Sequence, residues 1–180
     1  MTSAKHVLVI GGARSGKSRF AQQLVEASAA SAPLYLATAQ AFDAEMRARI
    51  DLHVAARDAR WRTLEAPYDL AGALAAAAPG TAVLVDCLTI WLSNLLLRGD
   101  DLDEATDDLA ALVPRLTGPA VFVSNEVGSG IVPDSALGRR FRDAQGRLNQ
   151  AMASACDHVV LVAAGLPLQL KPAPAPTIAF

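Results

Sequence analysis

The segment Gly11-Gly12-Ala13-Arg14-Ser15-Gly16-Lys17-Ser18 constrains this chain more than any other. A short apolar run, residues 6–10, precedes it, and an Ala- and Gln-rich stretch of helical composition, residues 17–30, follows it. Strand, glycine loop and helix in this order are typical of a Walker A phosphate-binding loop, or P-loop. Its glycines allow successive backbone N–H groups to point at phosphate oxygens, and the helix N-terminus adds positive potential. We therefore predict a nucleotide phosphate site here.

Side chains of the loop extend this prediction. Lys17 would neutralise the β and γ phosphates, and the Ser18 hydroxyl would bind Mg²⁺. Arg14 and Arg19 add positive charge beside the same site. The alternative is a glycine turn that matches the pattern by chance, and the flanking strand and helix disfavour it.

A second acidic position completes the expected metal site. Asp86 ends the apolar run 82–85, as a Walker B acid does. It could hold Mg²⁺ directly or through water. The alternative is that Asp86 caps the N-terminus of the helix that follows.

Strands and helices alternate along the whole chain. Strands are predicted at 6–10, 34–37, 82–85, 120–123 and 158–162, and helices at 17–30, 43–59, 68–78, 90–98, 102–116 and 135–154. Alternation predicts a parallel sheet, and continuous apolar strands predict helices on both of its faces. The expected fold is a three-layer α/β P-loop NTPase fold of RecA-like type, with a mostly parallel central sheet flanked by helices. We expect one domain, 1–171, and an extended Pro/Ala-rich tail, 172–180.

Composition excludes several classes of function. The 180 residues carry a formal net charge of −2, which does not favour nucleic-acid binding. No apolar stretch approaches the roughly 20 residues of a membrane span, and the first residues lack the layout of a signal peptide. The two cysteines have no metal or redox spacing and are predicted to be buried thiols. A cytoplasmic location is expected.

One histidine stands apart from the other two. His53 lies on the predicted helix 43–59, with Arg49 and Arg57 four residues away on either side. Two nearby cations would lower the pKa of the imidazole and favour its neutral, nucleophilic form. They would also attract phosphate. On spacing alone, a solvated basic helix face is the better interpretation.

Six segments together resemble one enzyme family. They are residues 11–19; 35–40 with 43–46; 49–53 with 57 and 61–65; 85–89 with 93–96; 124–133; and 141–143 with 146–150. In this order and spacing, from residue 7 to 171, the chain resembles the bifunctional adenosylcobinamide kinase / adenosylcobinamide-phosphate guanylyltransferase family of cobalamin biosynthesis.

The resemblance implies two reactions at one nucleotide site. The first phosphorylates the aminopropanol hydroxyl of adenosylcobinamide with ATP or GTP. In the second, a histidine attacks the α-phosphate of GTP, holds GMP covalently and passes it to adenosylcobinamide phosphate. By matched position the nucleophile is His53, and Leu52 before it leaves a single candidate where some relatives carry two histidines.

The resemblance also implies a set of contact residues. Nucleotide contacts are expected at Gly12, Ala13, Arg14, Ser15, Gly16, Lys17, Ser18, Arg19, Thr38, Ala39, Gln40, Ala56, Arg57, Asp58, Ala59, Glu65 and Asp86. Lys17 joins His53 as a catalytic residue, and Ser18 and Asp86 would hold Mg²⁺. A homotrimer is expected as well. Apart from the resemblance, Asn125 and Glu126 lie in a Gly-rich loop after a predicted strand, where ligand sites of α/β proteins gather, and are expected to line the site. The alternative is that they only shape the loop.

Two other functions remain open at this point. The chain could be a P-loop kinase of another small metabolite, with His53 structural. It could instead be a nucleotide-switch or motor subunit. The sequence has no Asn-Lys-x-Asp segment for reading guanine, and it is short for a motor.

Overall fold

A computed structural model describes residues 6–29, 32–40 and 58–173. The strands are β1 His6–Gly11, β2 Leu34–Ala37, β3 Arg62–Glu65, β4 Val83–Asp86, β5 Ala120–Asn125, β6 His158–Ala163 and β7 Leu166–Lys171. The helices are α1 Lys17–Ser28, α2 Leu70–Ala75, α3 Leu88–Arg98, α4 Leu102–Leu112 and α5 Ala136–Ala155, and a 3-10 turn spans Val113–Arg115.

The seven strands form one sheet in the order β3-β2-β4-β5-β1-β6-β7. Six of them are parallel, and only β7 runs antiparallel, beside β6. Since parallel strands end at the same edge, the loops that follow β1, β2, β3, β4 and β5 meet along one rim. Strand β5 lies between β1 and β4, so one strand separates the glycine loop from Asp86. The mostly parallel P-loop fold is confirmed.

Two apolar clusters cover the two faces of the sheet. Leu8 and Phe122 belong to the cluster that includes the buried residues of α2, α3, α4 and α5. Their neighbours Val9 and Val123 belong to the cluster that includes the buried residues of α1. Side chains alternate between faces along a strand, so a strand buried on both faces is apolar throughout. This explains the continuous apolar runs of the central strands.

Both edge strands were absent from the predicted elements. All four residues of β3 are exposed, and β7 is exposed at every position except Lys171. Edge strands lie at the border of the sheet, where their side chains are not covered on both faces. They therefore need no continuous apolar run. The sequence signal for buried strands therefore misses them.

Helix ends differ modestly from expectation. The predicted helix 102–116 becomes a 3-10 turn at Val113, because Pro114 has no N–H to donate in an α-helix. Of the predicted helix 43–59, residues 43–57 lie outside the described residues. Asp58 and Ala59 are not helical. The Asp58 carboxylate instead accepts a hydrogen bond from the Arg60 N–H at 2.8 Å, which favours a turn.

Nothing in the described ranges is a helix long and apolar enough to cross a membrane. Of the tail 172–180, only Pro172 and Ala173 fall within those ranges.

Strand β7 is tied to the end of α5 by Lys171. Its ammonium donates to the carbonyl oxygens of Ala153, Ser154 and Cys156 at 2.9, 3.0 and 2.6 Å. The first two carbonyls belong to the last turn of α5 and the third to its C-cap residue, where the helix dipole favours a cation. Lys171 therefore satisfies three acceptors and fixes the edge strand at once.

We expect Lys171→Met to lower the free energy of unfolding by about 1–2 kcal/mol, because the alkyl chain stays while the charged donor is lost. Urea denaturation followed by circular dichroism measures this. Gln169→Ala on the same strand is the control and should change stability by less than about 0.5 kcal/mol. Equal losses in the two variants would show that the ammonium contributes nothing specific.

Candidate active site

The glycine loop runs from the end of β1 to the start of α1. The Gly11 carbonyl oxygen accepts a hydrogen bond from the Glu126 N–H at 3.1 Å, so the loop is joined to the end of β5. Gly16 precedes α1 with a φ of 94°, a left-handed conformation that glycine adopts without strain. The Gly16 carbonyl then accepts the first helical hydrogen bond from Phe20. The structure therefore has the strand–loop–helix geometry that phosphate binding requires.

Lys17 folds back over the loop. Its side chain is buried, and its ammonium lies 3.1 Å from the carbonyl oxygen of Gly12. Ser18, next in α1, is half-buried, whereas Arg14 and Arg19 are exposed. A buried cation that contacts a backbone oxygen is well placed to exchange it for a phosphate oxygen.

Asp86 ends β4, two strands away from β1, at the same edge of the sheet as the glycine loop. It pairs in register with Ala37 on one side and Val123 on the other. Its carboxylate accepts a hydrogen bond from the Tyr35 hydroxyl at 3.2 Å. The residue at the N-cap of α3 is Cys87, with no side-chain cap. The capping role considered for Asp86 is therefore wrong.

The pKa of the Cys87 thiol depends on its burial and on the charges near it. Burial, aided by the Asp86 charge, raises the pKa of this thiol to about 11, while backbone hydrogen bonds from Ile90 and Thr89 and the charge of Lys17 act in the opposite direction. Burial likewise raises the pKa of Cys156 to about 12. Both cysteines are free and buried, as predicted. A thiol with so high a pKa is protonated at neutral pH, so Cys87 is no nucleophile.

Thr38 joins the loops that follow β2 and β4. Its fully buried hydroxyl donates to the Cys87 carbonyl at 2.8 Å and accepts from the Cys87 N–H at 2.9 Å. The Asn94 amide of α3 donates to the carbonyls of Thr38 and Pro67 at 2.9 and 3.0 Å. The Thr38 side chain thus holds the rim together. Nucleotide contact at Thr38 and Ala39 stays a prediction.

Gln40 is fixed by Tyr68. The Tyr68 hydroxyl donates to the side-chain oxygen of Gln40 at 3.1 Å, and the Arg98 guanidinium lies 4.4 Å from the centre of the Tyr68 ring. The Trp91 indole N–H donates to the Tyr68 carbonyl at 2.8 Å. Helix α3 therefore supports the loops after β2 and β3 through three side chains, Trp91, Asn94 and Arg98.

Other predicted contact residues are spread more widely. Glu65 ends β3, exposed and in register with Ala37. Asp58 and Ala59 are exposed, and the Arg60 guanidinium hydrogen-bonds Asp58 at 2.7 Å and lowers the pKa of that carboxyl. His53, Ala56 and Arg57 lie outside the described residues.

Sequence reasoning missed a buried polar network beneath the end of β5. The Ser124 hydroxyl donates to the Asn149 amide oxygen at 2.6 Å and accepts from the Gln145 amide at 2.9 Å. Asn149 also donates to the Asn125 carbonyl at 3.0 Å, and the Thr89 hydroxyl oxygen accepts from the Asn125 N–H at 2.7 Å. The signal was available, because residues 145 and 149 are four apart on the apolar face of α5.

Asn125 is held in place by these contacts. Asn125 pairs in register with Gly11, at the strand end beside the glycine loop. Its side-chain oxygen is buried and has no hydrogen-bond partner within the described ranges. A buried acceptor is costly unless it is paired, so this oxygen suits a donor on a bound substrate.

Oxygen donors suit a magnesium ion at this edge. Ser18 offers a hydroxyl and Asp86 a carboxylate, the ligand types that Mg²⁺ prefers. No group of three His, Cys, Asp or Glu side chains with metal-binding spacing occurs in the described part of the chain. A Mg²⁺ shared with substrate phosphates needs only one or two carboxylates, with water completing its shell.

Comparison with known proteins decides the family. The model of the family described as "Cobinamide kinase / cobinamide phosphate guanyltransferase" matches residues 7–170. The chain belongs to this family. A Pseudomonas aeruginosa protein named "Bifunctional adenosylcobalamin biosynthesis protein CobP" is 49% identical over 93% of this chain and 98% of its own length. A Salmonella typhimurium protein with the corresponding name CobU is 43% identical over 92% and 99%. The resemblance is confirmed.

Solved structures support the fold alone. A Pyrococcus horikoshii protein of 12% identity aligns with a TM-score of 0.54 over 93% of this chain and 86% of its own. An ATPase of a bacterial type III secretion system aligns with 11% identity and a TM-score of 0.50, over 87% of this chain and 50% of its own. Such low identities carry no statement about substrates.

Two neighbouring glycines of the loop differ in the space around them. A Cβ at Gly11 would lie 2.4 Å from the Val162 carbonyl oxygen, whereas a Cβ at Gly12 would meet nothing within 4 Å. We expect Gly11→Ala to lower the free energy of unfolding by about 2–3 kcal/mol, because backbone must shift. Gly12→Ala should change it by less than about 0.5 kcal/mol. Urea denaturation without nucleotide measures both, and similar stabilities would refute the close packing of β1 on β6.

Proposed function

We propose that this chain phosphorylates adenosylcobinamide with ATP or GTP. It then transfers GMP from GTP, through a covalent bond to His53, to adenosylcobinamide phosphate, giving adenosylcobinamide-GDP in cobalamin biosynthesis. The observation that carries this proposal is the intact glycine loop with its buried Lys17, in a chain that belongs to the cobinamide kinase / guanylyltransferase family. The two curated relatives are named as bifunctional proteins of adenosylcobalamin biosynthesis.

In the kinase step the substrate hydroxyl oxygen attacks the γ-phosphorus, and the bond from that phosphorus to the β–γ bridging oxygen breaks. The nucleoside diphosphate leaves with that electron pair, and the hydroxyl proton passes to solvent. Negative charge on the phosphate oxygens is stabilised by Lys17 and by the N–H groups of the loop. Arg14 and Arg19, both exposed beside the loop, add positive charge. Mg²⁺, held by Ser18 and Asp86, would neutralise phosphate charge when bound.

In the second step a neutral His53 nitrogen attacks the α-phosphorus of GTP. A nitrogen–phosphorus bond forms, the bond from the α-phosphorus to its bridging oxygen breaks, and pyrophosphate leaves with that electron pair. A phosphate oxygen of adenosylcobinamide phosphate then attacks the same phosphorus, and the nitrogen–phosphorus bond breaks to return the imidazole. Division into two transfers lets one site serve two acceptors in turn.

A labelling experiment tests this function. The protein is incubated with GTP and Mg²⁺, with the label in either the α- or the γ-phosphate, and is then denatured. We expect the protein to retain acid-labile label from α-labelled GTP only. His53→Ala should retain none, because no other nucleophile is assigned. His158→Ala is the control; His158 begins β6 in a half-buried position, and this variant should label like the wild type.

The loop lysine gives the same experiment a second arm. Lys17→Ala should lower both α-label retention and cobinamide phosphorylation by roughly 100-fold or more, because one cation serves both steps. Wild-type protein that never retains α-label would exclude guanylyl transfer here and leave the simple kinase. Unchanged cobinamide phosphorylation in Lys17→Ala would exclude the loop as the kinase site.

We propose further that the protein acts in the cytoplasm as a homotrimer. Exposed leucines on the edge strand β7 favour contact between copies. Leu166, Leu168 and Leu170 are 73%, 59% and 42% exposed, and all three lie on one face of the strand. Light scattering after size exclusion should give three times the 18.8 kDa mass of the chain. A mass of one chain at micromolar concentration would contradict the trimer.

A further inference from the structure

The turn between β6 and β7 contacts the glycine loop. The Gly165 N–H donates a hydrogen bond to the Ser15 carbonyl oxygen at 2.8 Å. A Cβ at Gly16 would lie 3.2 Å from the Gly165 Cα. Val162 also approaches Gly11 closely. The end of β6 and the turn after it therefore lie against the glycine loop over several residues.

The geometry of this turn leaves the Gly165 N–H available to a partner outside the hairpin. Ala164 and Gly165 have φ values of 52° and 80°, as in the two-residue turns that join antiparallel strands with left-handed residues. The closing pair of the hairpin is Ala163 with Leu166. In such a turn the closing hydrogen bond uses the N–H of the residue after the two central ones. The Gly165 N–H lies outside that ladder and is used by Ser15.

This contact fixes the orientation of a peptide group in the loop. The Ser15–Gly16 bond is trans, since the cis bonds of the described residues lie elsewhere. In a planar trans peptide the carbonyl oxygen and the following N–H point in opposite directions. With the Ser15 carbonyl held by Gly165, the Gly16 N–H is directed away from the hairpin. In a P-loop, N–H groups at such positions donate to nucleotide phosphate.

We propose that Gly165 is a positioning residue for phosphate binding. Its N–H holds the Ser15–Gly16 peptide in the orientation that presents the Gly16 N–H to nucleotide phosphate, although Gly165 itself does not touch the nucleotide. This inference rests on the proposed function in one respect: the loop must be the phosphate site. Without this contact the Ser15–Gly16 peptide group would spend part of the time in orientations in which the Gly16 N–H cannot donate to phosphate. Nucleotide affinity would therefore fall.

Replacing one backbone atom tests the proposal. Cys156 directly follows α5, so a synthetic peptide of residues 156–180 can be ligated to recombinant 1–155 with no change of sequence. Glycolic acid in place of Gly165 converts the amide to an ester and removes only this N–H. The probe is a GTP analogue with a methylene group between the α and β phosphates, which cannot undergo guanylyl transfer. Calorimetry measures its Kd.

We expect the ester at Gly165 to raise Kd about five-fold relative to the all-amide ligated protein, as for loss of one hydrogen bond. An ester at Leu168 is the matched control, because the Leu168 N–H pairs with Leu161 of β6, away from the loop. It removes one backbone hydrogen bond and should leave Kd unchanged. The melting temperature without nucleotide reports any purely structural role, and both esters should lower it similarly. Gly165→Asn, which keeps the N–H and tolerates positive φ, should bind like the wild type.

Two results would overturn the inference. One is an ester at Gly165 whose Kd equals that of the all-amide protein. The other is an equal rise of Kd in the Leu168 ester. Lys17→Ala separates these failures from failure of the proposed function. If Lys17→Ala weakens binding while the Gly165 ester does not, only the positioning role is lost. If neither change affects Kd, the loop is not the phosphate site.

Discussion

The position of the glycine loop depends on a backbone contact that leaves no room for a side chain. Strand β1 passes so close to β6 at Gly11 that a Cβ would lie 2.4 Å from the Val162 carbonyl oxygen. From the other side, the Gly11 carbonyl accepts a hydrogen bond from Glu126 at the end of β5. The loop therefore starts from a fixed point between two strands. The direction of α1, and with it the place of Lys17, follows from that point.

Hydrogen bonds also join the remaining loops of the rim to one another. Thr38 exchanges two hydrogen bonds with Cys87, and Asn94 binds the carbonyls of Thr38 and Pro67. These groups are buried, so each bond also avoids the cost of an unpaired polar group. Asp86 sits within this frame, with its carboxylate bonded to Tyr35. These hydrogen bonds hold Asp86 at a fixed place among the loops at this edge of the sheet.

Patterns over a few neighbouring residues were enough to predict the glycine loop and the buried strands. The glycine loop has a fixed spacing, and central strands such as β4 and β5 are buried on both faces, so both were readable. The edge strands β3 and β7 were not, because both are exposed: β3 is largely polar, and β7 alternates leucines with Pro167 and Gln169, so neither has the continuous apolar run of a buried strand. Gly165 was beyond reach for another reason: its contact with Ser15 joins residues 150 positions apart, and pairing over such distances leaves no local signal. The role of His53 came from family resemblance, and its residue range lies outside those described.

The exposed leucines of β7 have a practical consequence for anyone who handles this protein. An edge strand with open backbone groups and apolar side chains is a template for unwanted pairing between chains. A charged substitution at Leu168, in the middle of β7, would make that edge less prone to pairing, provided that trimer formation does not need this leucine. Positions at or next to either end of the strand are less suitable. Gly165 borders the phosphate loop and Lys171 closes α5, so a solubility design has only the middle of the strand to work with.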